Sequence, residues 1–171
     1  MSSKTNTLVI EQIDINQIKL PKRQLKLHPD RQIQQLADSI RQYGFNDPVA
    51  VDHNNEIIEG VGRVLAARKL GLETIPVIVL KHLTAAQKRA YRIAHNKICL
   101  NSDFDLELLK VEFEELIKLD EPLFTGFEQA ELDDLLKMGP LPDLGDDLSD
   151  QTGKTSCITC PHCGETFDVP A

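Results

Sequence analysis

Two short stretches combine residue types that can do chemistry. The first is Glu59-Gly-Val-Gly-Arg63. Two glycines let a backbone turn sharply and come close to a ligand. A helix starting there presents free N–H groups and the positive end of its dipole. Arg63 in the first turn of that helix adds a fork of donors that matches phosphate oxygens. Gly60, Gly62 and Arg63 are therefore candidate phosphate ligands, although the spacing is neither that of a Walker loop nor of a full dinucleotide-binding glycine fingerprint. Glu59 is the candidate catalytic carboxylate, as in a nuclease or phosphotransferase. Its competing role is to cap the helix or pair with Arg63.

The second stretch is Cys157-Ile-Thr-Cys160-Pro-His-Cys163-Gly164. Two overlapping Cys-x-x-Cys spacings and a Pro/Gly turn resemble a zinc-ribbon knuckle, with Cys157, Cys160 and Cys163 as the metal ligands. A closed site needs four ligands, and three readings stay open: a metal-free tail, a site completed by His162, or a zinc shared between two chains. Cys99 reads as a small buried residue on an apolar helix face. His28, His53, His82 and His95 have no ligand-like spacing, and His95 beside Asn96 is the one that could face a pocket.

The elements that must position the glycine turn are legible from periodicity. Leu8 to Ile15 alternates apolar and polar residues as a half-buried strand does. A basic loop with Lys22, Arg23 and Lys26 leads to Pro29 and a helix whose Ile33, Leu36, Ala37 and Ile40 form one stripe, stopped at Gly44. Strand 48–51, turn 52–55 and strand 56–59 deliver the chain to the glycine turn and a second helix, which ends at Gly71. Ile75 to Leu80 reads as a buried strand, with Pro76 expected at its start or on a sheet edge. Thr84-Ala-Ala-Gln87 is a capping box opening a helix to about Cys99. Two more helices follow, over about 105–118 and 128–138. Residues 139–155 form an acidic linker punctuated by Pro and Gly and expected to be disordered.

The net charge of -8 conceals a division. Residues 1–100 hold 15 Lys/Arg and 9 Asp/Glu, whereas residues 101–171 hold 4 and 18. The first part can attract phosphates, and the second repels them. No apolar run approaches the roughly 18 residues of a bilayer span, and the polar N-terminus lacks a signal-peptide core. A cytoplasmic protein with reduced thiols and no membrane partner is expected.

Taken in order, Leu36-Ala-Asp-Ser-Ile-Arg-Gln-Tyr-Gly-Phe45, Pro48-Val-Ala-Val51, Ile58-Glu-Gly-Val-Gly-Arg63, Ala66-Ala-Arg-Lys-Leu-Gly71, Ile75-Pro-Val-Ile-Val79 and Arg92-Ile-Ala-His-Asn-Lys97 resemble the N-terminal domain of ParB partition proteins, within the ParB/sulfiredoxin-like superfamily. Leu123-Phe-Thr-Gly-Phe-Glu128 and Glu131-Leu-Asp-Asp-Leu-Leu136 extend the likeness to the phage and prophage branch associated with DNA methyltransferases. The family's phosphate box falls on Gly60 to Arg63, where the first Gly and the last Arg match. Its second box falls on His95 and Asn96, where only Asn96 matches, and the early Asn-x-Arg leaves only Arg23. The resemblance thus implies nucleotide or phosphate binding through Arg23, Gly60, Gly62, Arg63 and Asn96. Val61 and His95 stand where the family has acidic residues, which argues against hydrolysis. Val61 also replaces the sulfiredoxin catalytic Cys and excludes that reaction.

The fold expected is α+β: a small mixed β-sheet with packed helices and a helical C-terminal extension. Residues 8–100 form the nucleotide-pocket domain, 101–138 an acidic helical extension, 139–155 the linker and 156–169 the cysteine-rich tail. The expected function is a nucleotide-binding, DNA-associated adaptor or regulator of phage or plasmid type with little catalysis. A nuclease or phosphotransferase and an interaction module for a DNA methyltransferase are the alternatives. The expected cofactors are a nucleoside triphosphate (CTP or ATP) and zinc. The expected partners are DNA, bound weakly or indirectly, a methyltransferase and a second copy of the chain.

Overall fold

Strand β4 (Thr74–Val79) is the spine of the domain, because its β-branched residues are shielded on both edges. On one side it pairs antiparallel with β1 (Ile10–Asp14), on the other parallel with β2 (Val49–Val51). β2 pairs antiparallel with β3 (Ile57–Glu59), so the mixed sheet has the order β1-β4-β2-β3. The computed structural model describes residues 8–119 and 121–139, and the backbone of two further strands, 155–159 and 166–170. After β1 a 3-10 turn (Ile15–Gln17) swings the chain round to β3. There the Lys19 amide donates to the Asn55 carbonyl at 2.8 Å, and the Ile57 amide to the Lys19 carbonyl at 2.9 Å. The segment that leaves one edge strand thereby covers part of the other edge.

Helix α1 (Asp30–Tyr43) runs from Pro29 to Gly44, and α2 (Val61–Lys69) follows β3 directly. Val64 and Ala67 of α2 close over Val49, Val51, Ile57, Ile75 and Val77, all fully buried. The other sheet face carries a smaller cluster of Ala50, Ile58 and Leu80. Helix α3 (Ala85–Ile98) begins at the expected capping box of Thr84 and Gln87. Arg92 ties it to the sheet: its guanidinium donates to the carbonyls of Ile57 at 2.8 Å and Ile58 at 3.2 Å. These are edge carbonyls of β3, which a charged donor satisfies.

Helices α4 (Leu106–Lys118) and α5 (Gln129–Lys137) form the extension, with Phe113 and Leu135 buried between them. Phe127 stands edge-on to Phe113, centroids 5.2 Å apart. The extension reaches the main domain through one face of α1. Gln42 donates to the Pro122 carbonyl at 2.9 Å and accepts from the Phe124 amide at 2.7 Å. Tyr43 and Gln35 donate to the carbonyls of Phe124 and Gly126.

Pro76 departs from expectation: it lies in the central strand. It is opposite Gln12, while the Ile15 amide bonds to the Glu73 carbonyl at 2.9 Å. By the two-residue alternation of an antiparallel ladder, Pro76 then needs no donor towards β1. On the β2 side, pairing starts only at Val77, one residue later. Pro76 is thus locally at an edge, which is what its missing N–H requires.

The tail also differs from a bare knuckle. β5 (Thr155–Thr159) and β6 (Thr166–Pro170) pair antiparallel, with Cys157 opposite Asp168. Cys160, His162 and Cys163 fall in the connection, outside the described residues, as does the linker 140–154. Among the described residues no helix is long and apolar enough to cross a membrane.

The turn between β2 and β3 depends on one buried charge, Asp52. It accepts from the amides of Asn54 at 2.8 Å and Glu56 at 3.0 Å, and from Lys88 Nζ of α3 at 2.9 Å. Burial alone would raise its pKa, but the Lys88 contact and the two amides outweigh it and hold the carboxyl below its usual value. A carboxyl depressed in the folded state stabilises above its unfolded pKa of about 3.9, and that stability is lost as pH falls through the lower folded value. Asp52→Asn should therefore cost about 2 kcal/mol at neutral pH. The loss should shrink below pH 4, as denaturant midpoints at pH 7 and pH 3 will show.

Candidate functional site

The glycine turn is built as the residue types demand. Gly60 has a φ of 99°, a left-handed conformation that a side chain would strain. It is the N-cap of α2, and its carbonyl accepts from Val64, leaving the first-turn amides of Val61, Gly62 and Arg63 free. A Cβ on Gly60 would come within 3.0 Å of Arg63 Nη2 and 3.1 Å of Val49 Cγ2. A Cβ on Gly62 would lie 2.9 Å from Leu36 Cδ1 and 3.1 Å from His28 Nδ1. A side chain at Gly60 would be strained by its positive φ, and one at Gly62 would have to displace the ends of the Leu36 and His28 side chains, so Gly62 lets α2 approach α1 closely.

Beside this turn is a cavity of about 380 Å³. Its floor is Gly60, Val61, Gly62 and Arg63, with Glu59 and Ile58 of β3 behind them. One wall is the basic loop and α1, including Lys26, His28 and Tyr43. The other is α3, which contributes Arg92, His95, Asn96 and Cys99. Residues far apart in sequence meet because β3 ends where α2 begins, between α1 and α3.

Arg63 is the electrostatic centre. Its largely buried guanidinium pairs with Glu59 four residues earlier and with the exposed Asp47. Its Nε is buried without a hydrogen-bond partner among the described residues. Burial pushes the Glu59 carboxyl up and the Arg63 guanidinium down, because each charged form loses hydration. His95 Nε2 stands 3.9 Å from Glu59 Oε1, bringing an imidazole of α3 up to the pair. A phosphate arriving here meets free first-turn amides and a guanidinium that can exchange Asp47 for a new oxygen partner.

The site residues expected from sequence do not all converge. Gly60, Gly62, Arg63 and Asn96 line this cavity, and so does Glu59, which is engaged with Arg63. Asn96 Nδ2 donates to the Arg92 carbonyl one turn back at 2.7 Å. Arg23 is elsewhere: it lines an adjoining depression with Lys22, Leu25, Glu56, Arg89, Arg92 and Ile93. The basic loop turns Lys26, not Arg23, towards the glycine turn. Cys99 is exposed at the end of α3 and not buried, since α3 has no buried residue. Sequence reasoning gave Arg92, Lys26 and His28 no site role, placing Lys26 only in a basic loop and Arg92 only in a matched motif. Only the position of Arg92 one turn before Asn96 hinted that it shares a helix face with the site. Among the described residues no group of three His, Cys, Asp or Glu side chains is placed to hold a metal. The cysteines Cys160 and Cys163 are outside that set.

A four-stranded mixed sheet whose third strand feeds a glycine turn into a helix, with a cavity between α1 and α3, defines an α+β domain of the ParB/sulfiredoxin-like type. The chain belongs to the ParB N-terminal domain family, which residues 1–97 match. It is 47% identical over 64 residues to the ParB-like nuclease domain-containing protein YnaK of Escherichia coli K12, 37% of this chain and 74% of that one. It is 35% identical over 66 residues to the uncharacterized protein ORF326b of Acidianus two-tailed virus, 38% of this chain and 20% of the relative. Its fold is that of the C-terminally truncated chromosome-partitioning protein ParB of Caulobacter crescentus, solved with CTP-γ-S. The two align with a TM-score of 0.63 at 18% identity, over 75% of this chain and 77% of the other.

The close approach at Gly62 yields a direct test. Gly62→Ala should destabilise the domain by about 1–3 kcal/mol, as expected for overpacking against Leu36 and His28. The shift of the denaturation midpoint measures it, and an unchanged midpoint would show that the Leu36 and His28 side chains yield to the added methyl at no net cost.

Proposed function

We propose that this chain is a nucleotide-binding, DNA-associated adaptor or regulator, with a nucleoside triphosphate (CTP or ATP) held at Gly60, Gly62 and Arg63. The observation that carries this reading is the buried Arg63 beside free helix amides in a cavity of about 380 Å³. The CTP-γ-S in the Caulobacter ParB structure supports a nucleotide ligand. Asn96 contributes from α3, and Arg23 acts from the adjoining depression. Val61 packs against the core and offers no acidic group, which supports binding with little hydrolysis. Glu59, neutralised by Arg63, has a positioning role in this reading rather than that of a nuclease or phosphotransferase base. Association with DNA is supported by the excess of cations in residues 1–100. The acidic helices α4 and α5 do not suit a DNA-recognition element.

The viral relative and the resemblance to the phage branch support a phage or plasmid role in the cytoplasm, with a DNA methyltransferase as partner. Exposed Tyr91 and Ile98, seven residues apart on one face of α3, support contact with that partner or with a second copy. Zinc at Cys157, Cys160 and Cys163 is supported by their spacing across a hairpin connection.

Calorimetry with CTP, ATP and GTP is the test. Arg63→Ala should weaken binding by roughly 1.5–3 kcal/mol. Asp47→Asn should strengthen it, because the phosphate then displaces no carboxylate. A wild-type chain that binds no nucleotide would overturn the assignment.

Removing residues 139–171 should leave DNA affinity unchanged or raised, as loss of an acidic segment predicts. Abolished binding would place recognition in the tail. Metal analysis of the full chain should find one zinc per chain or per two chains.

A further inference from the structure

Much of the uncompensated positive charge of the domain lies outside the cavity at the glycine turn, where Lys26 lacks a carboxylate partner among the described residues. There, Arg63 already faces Glu59 and Asp47. The adjoining depression, of about 360 Å³, gathers Lys22, Arg23, Arg89 and Arg92 around a single carboxylate, Glu56. Arg92 is 3.8 Å from Glu56, and its donors are spent on the carbonyls of β3. Among the described residues, Lys22, Arg23 and Arg89 have no carboxylate within 4.0 Å. Cations from two distant segments, the basic loop and α3, thus converge on one concave surface.

That surface is continuous with the nucleotide cavity. Leu25 and Arg92 line both and form the wall they share. Leu25 and Ile93, more than half exposed, add an aliphatic surface for a sugar or base edge. A lone mononucleotide satisfied at the glycine turn would leave these cations facing water. A ligand with regularly spaced phosphates would fill both. No aromatic platform lines the depression, so its contribution is electrostatic and should fall with salt.

We infer that the depression of Lys22, Arg23 and Arg89 holds the phosphodiester next to a nucleotide seated at Gly60–Arg63, so that the preferred ligand is a single-stranded nucleic acid. This rests on the nucleotide site proposed above and specifies its ligand class. The strand enters along the basic loop, places one nucleotide against the glycine turn, and lays the flanking backbone across Arg89.

The test compares two ligands on two proteins: a nucleoside triphosphate and an eight-nucleotide single strand, each titrated against the wild type and a Lys22→Ala/Arg89→Ala variant. Both substitutions are on exposed side chains, and an unchanged melting temperature verifies folding. The wild type should bind the strand more tightly than the triphosphate. The variant should lose roughly tenfold in strand affinity at low salt, and its log–log salt slope should fall by about 0.7 for each phosphate contact removed. Its triphosphate affinity should not change. Equal losses for both ligands would assign the depression to the triphosphate tail and overturn the inference. No loss for either would show the cations to be merely solvated and would overturn it equally. Failure of the wild type to bind triphosphate at all would instead overturn the nucleotide site itself.

Discussion

A buried guanidinium needs partners, and the partners of Arg63 tie the domain together. Glu59 is the last residue of β3, Asp47 lies on the approach to β2, and Arg63 is in the first turn of α2. The ion pairs hold the glycine turn at the mouth of the sheet. A buried pair stabilises little relative to apolar packing, but losing one member leaves the other uncompensated, which costs about 3–5 kcal/mol. The arrangement is therefore specific rather than strong. It also leaves a functional opening, because the exposed Asp47 is the partner that an incoming anion can replace most easily.

Around that centre the chain uses cations on α3 as struts. Lys88 reaches Asp52 in the β2–β3 turn, and Arg92 reaches the carbonyls of β3. With no buried residue of its own, α3 is held to the sheet largely by these polar contacts. The same helix presents His95, Asn96 and Cys99 to the cavity. A wall attached by polar struts can shift more readily than one attached by a packed core.

The acidic extension follows similar logic. Its small core of Phe113, Phe127 and Leu135 is its own, and its link to α1 consists of glutamine, tyrosine and arginine contacts with backbone or with Glu128.

Much of the fold was determined by the sequence alone. Period-two and period-3.6 patterns, a capping box at Thr84 and stops at Gly44 and Gly71 placed the strands and helices of residues 8–138 to within one to three residues, because each signal is local. The largest offset is the second helix, read from Val64 and found to start at Val61. The need for glycine at 60 was equally legible, as was the pairing option for Glu59, four residues before Arg63, whereas that at Gly62 comes from packing against Leu36 and His28. Long-range placement was not. Whether Arg23 or Lys26 faces the glycine turn depends on how a loop crosses α3. Pro76 can occupy a central strand only because β2 begins one residue late. The exposure of Cys99 follows from how α3 docks, through Arg92 and Lys88 rather than an apolar stripe. Local periodicity sets what an element is, but the convergence of charges from separate elements depends on packing, and only the tertiary structure decides it.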